Sequence, residues 1–88
     1  MLNKADELGR LIRSARLAKG IRQIDLAQYL GICKSQMWHY EAGMSVPKIS
    51  TFWDICERLE LDFDQYARLW VDAKLEMEDD NNADARKA

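Results

Sequence analysis

Histidine and proline each occur once in these 88 residues, cysteine twice and glycine four times. Each scarcity removes a class of explanation. With His39 alone and no Cys-x-x-Cys around Cys33 or Cys56, four zinc ligands cannot be assembled without carboxylates. Two free thiols and no metal are the expectation. Few glycines and one proline leave little room for long loops. No apolar run approaches the ~20 residues of a membrane span. The opening MLNKADELGR lacks the basic-then-apolar order of a signal peptide, so a cytoplasmic location is expected. An enzyme is not expected: the chain offers no paired carboxylates in a plausible cleft, no glycine-rich phosphate loop and no cofactor motif.

The residues present, 48% hydrophobic and 32% charged, suit one all-α domain near the lower size limit for folding without staples. Leu8, Leu11, Ile12, Ala15 and Ala18 follow helical spacing and predict a first helix over Asp6–Lys19, with Arg10, Arg13 and Arg16 outside the stripe. Leu17, on the far side, has no assigned role. Gln23–Leu30 carries Leu26, Ala27 and Leu30 on one face, and Gly31 offers the left-handed position that ends a helix. Ile32 turns back inward, and Lys34–Ala42 begins a new helix with Met37 and Tyr40 inside. Two short helices joined by a tight glycine turn are the sequence form of a helix-turn-helix. The outer side of the second, Lys34, Ser35, Trp38 and His39, is not the Glu/Lys mixture of a merely solvated face. Pro47 ends the loop after Gly43, and Ile49–Leu59 predicts a fourth helix with Phe52, Ile55, Cys56 and Leu59 inward. Asp62 to Gln65 resembles a capping box before a fifth helix ending near Met77. Residues 1–77 thus form the domain, and 78–88 are expected to be an acidic, disordered tail.

The net charge of −2 speaks against a nucleic-acid partner until its distribution is considered. Between Arg10 and Lys48, seven basic residues face two acidic ones; between Ile49 and Asp80, three face ten. Phosphate attraction depends on the local face rather than the total.

Several local features combine into a family resemblance. Arg13-x-x-Arg16 with Gly20, Gln23-x-x-Leu26-Ala27, Leu30-Gly31-Ile32, Glu41-x-Gly43, Pro47 and the apolar set of the fourth helix resemble the lambda repressor and Cro, or xenobiotic-response-element, family over about residues 8–67. The resemblance implies a compact five-helix domain, the second and third helices forming the helix-turn-helix. It further implies a homodimer that binds palindromic operator DNA, usually to repress transcription. It assigns base contacts to Lys34, Ser35 and His39. Trp38 either touches a sugar or thymine methyl or packs over the loop at Met44. The phosphate contacts would be Arg10, Arg22, Gln23 and Lys48, and Arg16 with Glu41 would form a structural ion pair. Arg22, Cys33 and Lys48 stand where the family favours Ser or Thr caps, and the two cations there are read as DNA contacts. Cys33 is read as an ordinary thiol, with a redox-sensitive operator contact the sharper alternative. On the fifth helix, Tyr66, Leu69, Trp70, Ala73 and Met77 are assigned to the dimer interface; completing the monomer core is the competing role. An alternative function is an antitoxin that binds a toxin and regulates its own operon. An inducer is the other protein or small-molecule partner left open.

Overall fold

In a computed structural model, residues 3–87 are described, with side chains described through Met77. Five helices follow in order: α1 Lys4–Ala18, α2 Gln23–Leu30, α3 Lys34–Glu41, α4 Ile49–Leu59 and α5 Phe63–Lys87. The first starts earlier than its apolar stripe suggests. Asn3 caps it, its side-chain oxygen accepting from the Asp6 amide at 2.8 Å, and Asp6 and Glu7 favour the positive end of the helix dipole. Ala5, Leu8 and Ile12 are buried, but Ala18 is exposed and Arg16 takes the inward place instead. Leu17 is exposed, as its position outside the stripe requires.

The core is a single cluster in which Leu8 and Ile12 meet Leu26, Met37, Phe52, Ile55 and Leu59. α1 is central, packing against α3, α4 and α5. Its approach to α3 is set by Gly9. A Cβ there would lie 2.6 Å from the carbonyl oxygens of both Tyr40 and Glu41, so only glycine admits the end of α3 at this distance. The turn between α2 and α3 rests on Gly31, whose φ of 71° is left-handed, with its N–H capping the carbonyls of Ala27 and Gln28.

Three helix starts lack a side-chain cap: Arg22, Cys33 and Lys48 precede α2, α3 and α4 without one. At α5 Asp62 is an N-cap, but on the second helical residue, and the reciprocal side-chain bonds with Gln65 of the expected capping box are not made among the described residues. Asp62 accepts from the Asp64 amide at 3.1 Å.

On α5 one residue expected at a dimer interface, Ala73, is withdrawn from it, while Tyr66, Leu69, Trp70 and Met77 stay partly exposed. Ala73 is 0% exposed and belongs to the monomer core. Trp70 donates its indole N–H to the Pro47 carbonyl at 2.7 Å, and Tyr66, Leu69 and Met77 pack against the same cluster. An 88-residue chain has little apolar area to spare, and α1 needs a helix on this side. The backbone of α5 remains helical past Met77; nothing in that stretch, which lacks Gly and Pro, ends a helix. The expectation of a disordered 78–88 tail falls on side chains outside the described residues.

Candidate nucleic-acid interface

α2 and α3 pack on each other through Leu26, Ala27 and Met37, all fully buried. Burying Met37 turns the opposite side of α3 to solvent: Ser35 and His39, two positions away, lie about 160° around the helix, and Trp38, one position away, about 100°. Lys34, Ser35 and Trp38 are exposed, and His39 is half-buried. Trp38, 51% exposed, meets the His39 ring edge-on with centroids 5.6 Å apart. The pair therefore forms one aromatic step with polar groups before it. Gln36, which sequence reasoning passed over, donates to the Ser45 hydroxyl at 3.1 Å and ties α3 to the following loop. Its only sequence signal was a polar residue beside buried Met37.

Behind α3 lies the element that fixes its angle. Arg16 forks onto Glu41, Nε to Oε2 at 2.7 Å and Nη2 to Oε1 at 3.0 Å, with both side chains buried. A third donor, Nη1, reaches the Ile21 carbonyl at 2.7 Å. Gln23 completes the network: its Nε2 donates to Glu41 Oε1 at 3.1 Å. The side chain of Gln23 is thus directed first at Glu41 rather than outward, leaving one N–H of its amide for any phosphate.

The cations divide into two groups. Arg22 lies flat on Asp25, Nε to Oδ2 at 2.8 Å and Nη2 to Oδ1 at 3.0 Å. That pairing holds the Asp25 carboxyl below the usual carboxylate range and raises the guanidinium. Arg22, expected to contact phosphate, thus has an intramolecular partner at the start of α2 while its side chain stays exposed. Lys19 bonds Glu60. Arg10, Arg13, Lys34 and Lys48, by contrast, are exposed and have no ion-pair partner among the described residues. Arg13 was not among the expected contacts, although it shares with Arg10 a groove on α1 that reaches Glu41 and Ala42.

At the N-terminus of α3, Cys33 Sγ lies 3.2 Å from the Ser35 hydroxyl. This hydrogen bond, then that of the Gln36 amide, lowers the Cys33 thiol from its ordinary range. No group of three or more His, Cys, Asp or Glu side chains is arranged to hold a metal among the described residues. No helix among them is long and apolar enough to cross a membrane.

A protein-family model described as a helix-turn-helix domain matches residues 7–69. The chain belongs to that family. It is a DNA-binding transcriptional regulator of the helix-turn-helix class, not an enzyme. No curated protein sequence matches the chain. Two crystal structures of the clp gene regulator ClgR from Corynebacterium glutamicum share its fold. One matches with a TM-score of 0.67 and 20% identity, covering 83% of this chain and 90% of that one. The other has a TM-score of 0.70 and 18% identity, covering 96% and 90%. At such identities the likeness speaks for the helical arrangement, and residue roles must come from this chain's own geometry.

Proposed function

We propose that this helix-turn-helix domain is a repressor that binds a palindromic operator as a homodimer inside the cell. One observation carries the reading: α3 turns Lys34, Ser35, Trp38 and His39 outward while a buried ion pair locks its inner end. A helix presented this way enters the major groove with its first residues against base edges. Lys34 donates to guanine O6 and N7, Ser35 bonds either kind of base, and His39 donates to a purine or phosphate. Trp38 supplies an apolar edge for a thymine methyl. Arg10 and Lys48, with Arg13 beside them, neutralise phosphates, and the remaining Gln23 N–H contributes a fourth contact at a helix start.

Two copies must place their α3 helices about 34 Å apart to read one side of a duplex. With Trp70 and Ala73 turned inward, Val71 and Leu75 are the apolar residues α5 leaves outside, one turn apart on one face. The second copy meets the first across that stripe.

Footprinting the DNA upstream of the protein's own gene is the direct test. Ser35→Ala and His39→Ala should each weaken the protected site by about 1–3 kcal/mol and leave random DNA unaffected. Equal losses on both DNAs would reject α3 as the reading element.

A further inference from the structure

A second concavity lies where the end of α4 meets the start of α5, and the DNA-binding reading makes no use of it. Its volume is about 250 Å³. Trp53, Leu61 and Phe63 line it with apolar surface, and Glu57, Asp62 and Asp64 stand around it. The rings of Trp53 and Phe63 meet edge-on, centroids 5.0 Å apart and planes at 61°. Trp53 is nonetheless 48% exposed, an unusual position for an indole that the core does not need. Its N–H donates to Glu57, which fixes the ring and leaves the carboxylate charge in place.

No Lys or Arg lines the cavity, and none of its three carboxylates has an ion-pair partner among the described residues. The Cys56 thiol in the wall feels the result: burial first, then the Asp62 charge, push it up to about 11. The carboxylates do not gather as a metal site. What the cavity offers is an aromatic corner in a negative field.

We infer that this cavity binds a small organic cation with an apolar body, its ring or alkyl part on Trp53 and Phe63 and its charge toward Glu57, Asp62 and Asp64. Aromatic faces attract cations, and unpaired carboxylates reject anions. The volume sets the size. It falls below the ~300 Å³ at which pockets for drug-sized ligands begin, so a single-ring ammonium fits and a fused polycyclic one does not. The inference does not depend on what α3 reads.

Benzylammonium and its near-isostere benzyl alcohol separate charge from shape. The ¹⁵N-labelled full chain is titrated with each, and the indole N–H signals of Trp38, Trp53 and Trp70 are followed. Benzylammonium should shift Trp53 to saturation with a Kd of roughly millimolar order, with Trp38 unmoved, because one exposed cation–π contact and partly solvated charges give no more. Glu57→Gln and Asp64→Asn, both at exposed positions, should each weaken it about two- to five-fold, the worth of a solvent-exposed ion pair. Unchanged dispersion of the remaining amide signals checks that the variants are folded. Absence of saturation overturns the inference. So do equal binding of benzyl alcohol, equal shifts at Trp38, or full affinity in both variants. A Trp53 shift that follows protein concentration without ligand also overturns it, by giving the cavity to a second copy.

Discussion

Glu41 is a carboxylate with almost no water, and two side chains, Arg16 and Gln23, satisfy it with three hydrogen bonds. A buried ion pair of this kind contributes little net stability because desolvation offsets its Coulomb gain, yet removing one partner strands the other. Arg16→Met should therefore cost about 3–5 kcal/mol in urea denaturation, while Arg16→Met combined with Glu41→Leu should recover much of that loss. The double variant's DNA affinity is the sharper measurement: if the pair serves to orient α3, affinity stays low after stability returns. The two thiols give a second contrast. Cys33 is exposed, with its pKa lowered by Ser35 and the Gln36 amide, whereas Cys56 is buried and raised to about 11. Alkylation follows the thiolate, so at pH 8 iodoacetamide should modify Cys33 first and leave Cys56 untouched until the chain unfolds. For stability the sign is opposite to that of a paired acid. The folded state holds the Cys56 proton more tightly, so its contribution is whole below pH 9 and is lost as pH rises towards 11. Simultaneous labelling of both thiols in the folded chain would contradict the burial of Cys56.

Among the helices, the uncapped starts ask what the missing Ser and Thr were exchanged for. Lys48 precedes α4 with no side-chain cap and places a cation at the positive end of a helix dipole. Lys48→Ser should stabilise the domain by about 1 kcal/mol. It should also weaken cognate and random DNA alike and make the salt dependence shallower by about one unit. Both changes together would show a lysine kept for phosphate; a stabilised variant with unaltered DNA binding would not. Arg22 is the instructive opposite. In sequence the two cations look equivalent, but Arg22 has Asp25 three residues on, one helical turn away, and the pair closes locally. The helices themselves were legible because their apolar spacing is unambiguous: α2 and α4 have the expected bounds, and Met37 faces inward as its period requires. Periodicity also named the apolar residues of α5. It could not say which surface they cover, since a monomer core and a dimer seam have the same spacing. Gly9 was invisible for a different reason. A glycine inside a helix shows its purpose only when another backbone is seen 2.6 Å from its absent Cβ.

At the scale of the molecule, the net charge of −2 hides a division of labour among cations. Between Arg10 and Lys48, Arg16, Lys19 and Arg22 are committed to Glu41, Glu60 and Asp25, leaving Arg10, Arg13, Lys34 and Lys48 of that segment exposed without ion-pair partners among the described residues. Each phosphate neutralised releases counterions and adds about −0.9 to the slope of log affinity against log salt. With Lys34 on base edges, the three charges of Arg10, Arg13 and Lys48 set a slope of about −2.7 per subunit, and twice that for two subunits on one operator. Fluorescence anisotropy on a labelled operator between low and moderate salt measures the slope. Val71→Glu and Leu75→Glu, at 39% and 52% exposure, add charge to the outer stripe of α5 without entering the core. If that stripe joins the subunits, both variants should sediment as monomers, bind a half-site with half the parental slope, and unfold at a urea concentration that no longer depends on protein concentration. A variant that remains dimeric with the full slope places the two-fold axis elsewhere. Exposed Ile49 on α4 would then be the next apolar position to charge.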